Sequence, residues 1–300
     1  QIFDNTVGIY SIVGGTVDAL GFVAGSQSNE IFDNSTGIQL VNANVQLQHV
    51  FGNSTGIKGS GTIGGSEFAT GNLIEDNAVG IGNFSGRIQF NNLAGNATGI
   101  SASNDQEIFY NTIYRSENYG ILVSGATDVR IVNNTLYSPD GDNIHLTANA
   151  KEVEIRNNIL WAESGYDIYV ANNSQSGYFS DYNLLHTSGS GKIGYWTRDF
   201  TDILDWQQDI TRYDLHSIGT TVVNPNLSNP QFVDVLSDNY RILDLVGGYR
   251  YTSPVINSGD PGSYQMLGDI YTNLLVNPGF ESGLTGWTTS SGAQVKSTSP

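Results

Sequence analysis

The sequence contains no cysteine, few basic residues and no long apolar segment. Without cysteine, the chain has no disulfides, thiolate metal sites or thiol catalysis. No apolar run reaches the roughly 18 residues of a membrane-spanning helix, so no membrane insertion is predicted. Twenty-nine acidic and twelve basic residues give a formal net charge of -17. This charge argues against nucleic acid and anionic membrane surfaces as partners, because both bind through basic patches.

A pentapeptide pattern, Asn-x-(Thr/Val)-Gly-Ile, recurs through the first hundred residues. Successive isoleucines of the pattern lie 29, 19, 24 and 19 residues apart. A weaker form continues the rhythm at Ile121, Ile144 and Ile168. Such a short recurrent period predicts a solenoid of stacked coils. The copies of the pattern are Asn5–Ile9, Asn34–Ile38, Asn53–Ile57, Asn77–Ile81 and Asn96–Ile100.

A second motif follows each repeat isoleucine and alternates apolar with polar residues up to an asparagine. Period-two alternation that stops at asparagine predicts a short strand followed by a turn. Two or three such strands in a period of ~20 residues leave no room for a crossover helix. Since parallel crossovers are right-handed, the fold class predicted is all-β, a right-handed parallel β-helix. The motifs lie at 45–49, 88–92, 108–111, 129–134, 153–158 and 179–183.

The repeat predicts both the interior and the corners of the coils. We expect the repeat isoleucines to form one inward column. Asparagine suits the corners because it tolerates left-handed backbone geometry, and stacked amides can bond to each other. A second inward column is predicted from Val45, Ile88, Ile108, Val129 and Val153.

The pattern divides the chain into three segments. Coils occupy 1–185, and C-terminal coils with a cap occupy 186–272. The cap contains a short helix within 198–210, with Asp199 or Thr201 as N-cap. Residues 273–300 begin a further module that stops early, and Gln1 falls inside a coil motif, so the chain is expected to be part of a longer one. The aromatic residues expected in the core of the cap are Tyr195, Trp196 and Trp206.

The coil motifs resemble the parallel β-helix repeats of secreted bacterial polysaccharide lyases, epimerases and large surface proteins. Residues 150–262 resemble the C-terminal part of β-helix modules in giant exported proteins of planctomycete-type bacteria. The tail LLVNPGFESGLTGWT is similar to the opening of jelly-roll carbohydrate-binding modules. The resemblance implies an extracellular or cell-surface location and a carbohydrate partner.

The residue after each repeat isoleucine is predicted to point outward. This column holds no cluster of carboxylates, and its aromatic members Tyr10, Tyr169 and His145 are the candidate glycan contacts. On the second strand, Arg130 and Glu154 are predicted to be stacked neighbours that form an ion pair. The second outward column predicted is Gln46, Gln89, Arg130, Glu154 and Ser180.

One segment carries candidate catalytic residues. Asp140, Asp142 and His145, facing Arg156, could supply the base and the cation with which a lyase or epimerase attacks a uronate. Lys151 is an alternative cation. The same Asp-Gly-Asp-Asn letters are also ordinary turn chemistry, so a purely structural interpretation stays open.

Asp4, Asp33 and Asp76 precede the repeat asparagine in three of the five copies. Stacked carboxylates ~5 Å apart repel one another unless they bind a cation or point into water. A calcium site and a solvated edge are the two interpretations. No other cofactor is expected.

The leading hypothesis is a non-catalytic structural or adhesive β-helix segment of a larger secreted or cell-surface protein that faces polysaccharide. The alternatives are a polysaccharide lyase or epimerase acting on acidic glycans, and a glycan-binding module without turnover. Whether the chain is an enzyme stays open. An uncapped solenoid also invites end-to-end self-association.

Overall fold

The computed structural model describes residues 1–18, 28–210, 212–243, 250, 252–256 and 258–260. They form a right-handed parallel β-helix, as the repeat predicts. All of them except Asp260 belong to one compact unit, Gln1–Gly259. The further module predicted at 273–300 lies outside the described residues.

The strands are short, and in the described residues they are accompanied by one α-helix and three 3₁₀ helices. In the N-terminal half the strands are β1 Val7–Ser11, β2 Thr16–Val17, β3 Asn29–Phe32, β4 Thr36–Val45, β5 Gln48–Phe51, β6 Thr55–Ile63, β7 Leu73–Glu75, β8 Val79–Gln89, β9 Asn92–Ala94, β10 Thr98–Ser101, β11 Gln106–Phe109, β12 Thr112–Tyr114 and β13 Tyr119–Ser124. The C-terminal half contains β14 Thr127–Val132, β15 Thr135–Ser138, β16 Asp142–Thr147, β17 Lys151–Arg156, β18 Ile159–Ala162, β19 Tyr166–Val170, β20 Phe179–Asp181, β21 Leu184–Thr187, β22 Lys192–Trp196, β23 Arg198–Phe200, α1 Ile203–Ile210, β24 Ile218–Gly219, β25 Phe232–Asp234 and β26 Asn239–Ile242. The 3₁₀ helices are Phe68–Thr70, Pro225–Ser228 and Val235–Ser237.

Each coil passes through three strands, which gives the solenoid three faces. The first face contains β1, β10, β13, β16, β19 and β22, and the second contains β2, β11, β14, β17 and β20. The long strands β4, β6 and β8 turn the corner between these faces and join them into one sheet. The third face is a separate nine-stranded parallel sheet that runs from β3 to β24.

The repeat isoleucines line up in the interior of the first face. Each one pairs with its counterpart one coil away, and those from Ile38 to Ile168 have no exposed surface. Burying such a side chain stabilises the fold by roughly 1.5–3 kcal/mol. The predicted inward column is therefore confirmed. Its members are Ile9, Ile38, Ile57, Ile81, Ile100, Ile121, Ile144 and Ile168.

The predicted columns of the second face were partly wrong. Ile108 pairs with Ile131, whereas Val129 pairs with Gln106. Val129 and Ile131 both face inward on the same strand, so the alternating pattern could not show which of them belongs to the column of Ile108. Ser180, predicted to point outward, is fully buried in the column of Ile131.

Two columns of asparagine, all buried except Asn5, form the corners beside the third face. Each side-chain Nδ2 donates a hydrogen bond to Oδ1 of the asparagine one coil further on, as between Asn111 and Asn134 at 3.0 Å. The same oxygen also accepts from the backbone N–H of the first residue, at 2.9 Å here. These amide ladders confirm the predicted stacking. Their members are Asn5, Asn34, Asn53, Asn77 and Asn96 in the first ladder, and Asn72, Asn91, Asn111, Asn134, Asn158 and Asn183 in the second.

The glycine of the repeat makes room for the first ladder. A Cβ added at Gly80 would lie 2.6 Å from the carbonyl oxygen of Gly99 and 3.1 Å from Cγ of Asn96. Beyond Asn96 the ladder ends, and side chains return to the glycine column. There Asn143 donates from Nδ2 to Oδ1 of Asp167 at 2.9 Å.

The C-terminal end is closed by α1. Its N-terminus is capped by Asp202, whose Oδ1 accepts from the backbone N–H of Leu204 at 2.8 Å. The predicted caps, Asp199 and Thr201, are therefore wrong. Trp206 is fully buried in the cap, as predicted, and its Nε1 donates to Oδ2 of Asp214 at 2.9 Å. In the part of the chain with assigned structure, no helix has the length and apolar character needed to cross a bilayer.

Parallel pairing continues past residue 185, and the chain then returns along the third face. β22 pairs with β19, and β24 pairs with β21. The antiparallel hairpin β25–β26 covers aromatic side chains of the third face. The ring of Tyr240 lies 4.6 Å from that of Tyr114, and Phe232 lies 6.0 Å from Trp161. The hairpin thus shields large rings of this sheet from water.

Candidate functional site

The C-terminal part of the first face presents a cluster of aromatic and charged side chains, here called the aromatic face. One outward column runs from His145 to Tyr169 and Tyr195 on successive strands. The neighbouring outward column places Tyr119 beside Asp142, and Tyr166 beside Lys192. The aromatic face comprises Tyr119, Asp142, His145, Tyr166, Tyr169, Lys192, Tyr195 and Asp199.

The rings of the outward column stack on each other along the solenoid axis. His145 and Tyr169 lie 4.2 Å apart with 4° between their planes, and Tyr169 and Tyr195 lie 4.6 Å apart with 13°. Stacked rings cover one another's faces, so Tyr169 presents its edge and hydroxyl outward. Burial raises the pKa of Tyr169, which therefore keeps its phenolic proton at neutral pH. A glycan would meet this column chiefly through hydrogen bonds.

His145 is held by a carboxylate of the same strand. Its Nδ1 lies 2.7 Å from Oδ2 of Asp142, and both side chains are largely buried. The other oxygen of Asp142 accepts from the backbone N–H of Tyr166 at 2.9 Å, which fixes the carboxylate. With Asp142 as acceptor, the proton is assigned to Nδ1, and Nε2 carries the lone pair. This arrangement orients an imidazole that can accept a proton.

Three further groups form a hydrogen-bonded triangle at the edge of the aromatic face. Nζ of Lys192 lies 2.7 Å from Oδ2 of Asp199 and donates to the hydroxyl of Tyr166 at 3.2 Å. The Tyr166 hydroxyl donates to Oδ1 of Asp199 at 2.7 Å. Hydrogen bonding to Asp199 raises the pKa of Lys192, and hydrogen bonding from Lys192 lowers the pKa of Asp199. Both groups therefore remain charged at neutral pH.

The other candidate catalytic residues lie elsewhere. Arg156 is on the second face, where its Nε is 3.3 Å from Oε1 of Glu154 and its Cζ is 4.8 Å from the ring centroid of Phe179. Asp140 is exposed on a turn, and its backbone carbonyl accepts from the hydroxyl of Ser164. Of the four candidates, the structure therefore joins only Asp142 and His145 in a direct contact. Lys151, the alternative cation, is exposed at the start of β17.

The outward charges of the second face form a ladder of ion pairs. Nε of Arg130 lies 3.0 Å from Oε2 of Glu154, which confirms the predicted pair. The ladder extends through Glu107, at 3.4 Å from Arg130, to Arg87, at 2.6 Å from Glu107. These half-exposed pairs are each worth under ~1 kcal/mol. Gln46 and Gln89 lie outside this ladder, because Gln89 pairs with Phe109.

Asp4, Asp33 and Asp76 occupy a corner where the backbone is left-handed, with φ of 59°, 53° and 54°. Gly52 and Gly95 take the same corner in other coils, at 64° and 60°. Aspartate and glycine both tolerate this conformation, which explains why they alternate there. In the described ranges no group of three or more His, Asp or Glu residues is arranged to hold a metal ion. The calcium site stays a prediction.

The sequence pattern missed most of the aromatic face, since only Asp142, His145 and Tyr169 of its residues were candidates. Tyr10 is exposed on β1, at the other end of the solenoid, and does not join the cluster. Tyr195 was expected in the cap core but continues the column of Tyr169. It was missed because Gly194 replaces the repeat isoleucine at this level. The only signal was the alternation within Lys192–Trp196 itself.

Comparison with known proteins supports the fold. Residues 77–191 match the family described as right handed beta helix region. The matched segment includes the coils that carry His145 and Tyr169. No curated protein and no solved structure matches the chain significantly. A β-helix of this kind fits a polysaccharide-related protein.

Proposed function

We propose that the chain is a non-catalytic structural or adhesive segment of a larger secreted or cell-surface protein. In this proposal the solenoid is a stiff spacer that holds the aromatic face toward polysaccharide. The observation that carries it is the pair of amide ladders beside continuous aliphatic columns. Three kinds of contact hold each coil to the next: backbone pairing between strands, hydrogen bonds between asparagine side-chain amides, and packing of buried isoleucine.

The amide ladders favour a mechanical role because they are buried and multiply bonded. Asn111, for example, donates from Nδ2 to Asn134 and to the carbonyl oxygens of Ile88 and Phe109. Bending the solenoid at such a corner would break several buried hydrogen bonds at once. Leaving one such group unpaired costs roughly 1–3 kcal/mol, so coils resist separation.

The aromatic face supports a carbohydrate partner. It combines phenol hydroxyls, an imidazole and a Lys–Asp pair on a regular surface with ~4.8 Å between strands. The net charge of -17 favours polymers that are not strongly acidic. If glycan binding by the aromatic face is the main role of the chain, the chain is a glycan-binding module without turnover.

Glycan-array binding tests the contribution of the aromatic face. We expect the wild-type chain to retain one class of glycan, and the double variant Tyr169→Ala/Tyr195→Ala to lose it. Tyr182→Ala is the matched control, because Tyr182 lies at another corner of the coil. Its ring stacks there on that of His216, with 4.7 Å between the ring centroids. Equal binding by all three proteins would remove the aromatic face from the proposal.

A lyase or epimerase acting on acidic glycans is the second candidate. The observation in its favour is the His145–Asp142 contact of 2.7 Å, which orients a base on an outward strand. Such a base would take the proton beside a uronate carboxylate, with a cation to neutralise that carboxylate. Arg156 does not contact His145, so the cation would come from elsewhere on the surface or from bound calcium.

An activity assay separates the two candidates. The chain is incubated with alginate, pectate and glycosaminoglycans, with calcium and with a chelator. Absorbance follows unsaturated products, and proton NMR of the polymer follows epimerisation. We expect neither signal. A signal that disappears in His145→Ala or Arg156→Ala would establish the enzyme, and its loss with chelator would show that the reaction needs a bound cation.

End-to-end self-association is a further part of the proposal. The coils are joined to one another by parallel backbone pairing, as between β1 and β4. An open strand edge is a template for another chain. Analytical ultracentrifugation over a range of concentrations should show association, and a single monomeric species throughout would exclude it.

A further inference from the structure

A groove separates the third face from the hairpin β25–β26. Its volume is about 670 Å³, which falls within the ~300–1,000 Å³ of small-molecule sites. It lies on a different face from the aromatic face and uses none of the same residues. The hairpin therefore does more than cover the third face, because it leaves a second concave surface beside the strands.

The floor of the groove is polar and regular. Asn92, Thr112 and Thr135 occupy the same outward column on successive strands β9, β12 and β15. Strand spacing sets these side chains ~4.8 Å apart. Within the described residues, the hydroxyls of Thr112 and Thr135 make no hydrogen bond to protein. The floor is thus a row of uncommitted donors and acceptors, which suits a ligand with a repeating hydroxyl pattern.

The walls of the groove are apolar rings and aliphatic groups. Tyr114 and Tyr240 line it together, with their ring centroids 4.6 Å apart, and Ile242 lines it as well. Phe68 lies at the groove and is 52% exposed. Rings beside hydroxyl acceptors match the two kinds of surface on a pyranose, its C–H face and its hydroxyl edge. A purely apolar ligand would leave the row of threonines unpaired.

The charges of the groove are balanced. The lining contains one carboxylate, Asp238, and one guanidinium, Arg241. Asp238 is paired with Arg115, whose Nη2 lies 2.8 Å from its Oδ2. The whole chain carries -17, so a polyanion would be repelled at long range. We infer that this groove binds a short stretch of neutral oligosaccharide, independently of the aromatic face.

Isothermal titration calorimetry with defined hexasaccharides tests the inference on the full chain. The neutral probes are cellohexaose, xylohexaose, mannohexaose and chitohexaose in its N-acetylated form, and hexagalacturonate is the acidic probe. We expect at least one neutral probe to bind. The double variant Thr112→Val/Thr135→Val should weaken that binding at least about tenfold, because two hydrogen-bonding hydroxyls are lost at nearly constant volume.

Three comparisons make the result decisive. Thr62→Val, an outward threonine of β6 remote from the groove, should leave binding unchanged. Tyr182→Ala, whose ring stacks on His216 and does not line the groove, should also leave it unchanged. Tyr240→Phe keeps the ring that packs the hairpin on the third face and removes only its hydroxyl, so it shows what loss of this hydroxyl alone does to binding. Melting curves of every variant show whether a loss of binding comes from a destabilised fold. Three outcomes would each overturn the inference. They are no binding of any neutral probe, binding by Thr112→Val/Thr135→Val as tight as that of wild type, and tighter binding of hexagalacturonate than of every neutral probe.

Discussion

At the scale of single residues, buried titratable groups make the stability of the fold depend on pH. His186 is 2% exposed on the outer side of the third face, where the 3₁₀ helix Pro225–Ser228 covers it and its Nδ1 lies 3.0 Å from the hydroxyl of Ser228. Burial lowers the pKa of His186 from 6.5 to about 4. The imidazole is therefore neutral at pH 7 in the folded chain, and among the described residues its polar partners are the hydroxyls of Ser228 and Thr220.

The first prediction follows from this depressed pKa. The contribution of His186 is present above pH 6.5 and is lost as the pH falls toward about 4. The loss amounts to at most about 3.5 kcal/mol, since one pKa unit corresponds to ~1.4 kcal/mol. His186→Asn should flatten the decline of unfolding free energy between these pH values. His216→Asn is the control, because His216 is exposed, and an unchanged slope in His186→Asn would contradict the argument.

Asp167 shows the opposite pH dependence. It is fully buried, and burial raises its pKa well above 3.8. Asn143 donates to Oδ1, but Oδ2 has no hydrogen-bond partner among the described residues. Asp214 is equally buried but accepts from Trp206, Ser217 and Ser180. These donors offset part of the desolvation that raises its pKa.

The second prediction concerns Asp167→Asn. The raised pKa contributes stability that is present below pH 3.8 and is lost as the pH rises through the folded-state value. The variant keeps an acceptor for Asn143 and removes the ionisable group, so it should be more stable than wild type at pH 7 and show less change between pH 4 and 7. Chemical denaturation at several pH values measures this. A variant that is less stable at pH 7 would show that the carboxyl is needed there.

At the scale of elements, the amide ladders carry more stability than the ladder of charges. In the second ladder, Oδ1 of Asn111 accepts two hydrogen bonds from Asn91, and its Nδ2 donates to three oxygens. All of these groups are buried. The Arg130–Glu154 pair is partly exposed. When one partner is removed, water therefore solvates the other and replaces much of the lost interaction.

The third prediction compares positions in the ladders. Asn111→Ala should lower the free energy of unfolding by about 3–5 kcal/mol, because several buried partners lose their bonds at ~1–3 kcal/mol each. Asn5→Ala, at the exposed end of the first ladder, should cost under ~1 kcal/mol. Urea denaturation followed by circular dichroism measures both. Similar losses in the two variants would mean that burial does not decide the strength of the ladder.

The fourth prediction concerns the charge ladder. Arg130→Gln should change the unfolding free energy by less than ~1 kcal/mol, and the effect should shrink as salt is added. Gln keeps much of the aliphatic stem over Phe109, whose ring centroid lies 5.4 Å from the guanidinium carbon. A large loss that does not respond to salt would indicate a packing role for Arg130 instead.

At the scale of the whole molecule, the C-terminal cap closes the aliphatic interior. Trp206 fills the space above Gly194, where an added Cβ would lie 2.5 Å from the indole ring. The helix that carries Trp206 also buries Ile203 and Ile210 against the last coils. Because coils contact mainly their neighbours, damage to the cap should spread from that end.

The fifth prediction tests this polarity. Trp206→Ala should cost about 3–5 kcal/mol through the cavity it leaves. Hydrogen exchange should speed up first in β22 and β19, while β8 and β10 stay protected. Leu204→Ala on the same helix is the control, since Leu204 is 61% exposed. Uniform loss of protection along the solenoid would show that it unfolds as a single unit.

The repeat by itself determined that the chain forms a solenoid of stacked coils, that the solenoid is right-handed, and which isoleucines form the first inward column. Every repeat isoleucine falls at the same step of its coil, so equal spacing in sequence becomes alignment in space. The asparagine corners followed for the same reason. The pairing of Arg130 with Glu154 could also be predicted, because the motifs around them are of equal length.

Tertiary structure alone decided the register of Val129, the outward place of Tyr195 and the hairpin on the third face. Val129 lies on a strand where two alternate positions face inward, and only pairing with Gln106 distinguishes them. Tyr195 follows a glycine where the repeat isoleucine is missing. Tyr240 meets Tyr114 through a return of the chain across the coils, and no local pattern encodes contacts between segments so far apart in sequence.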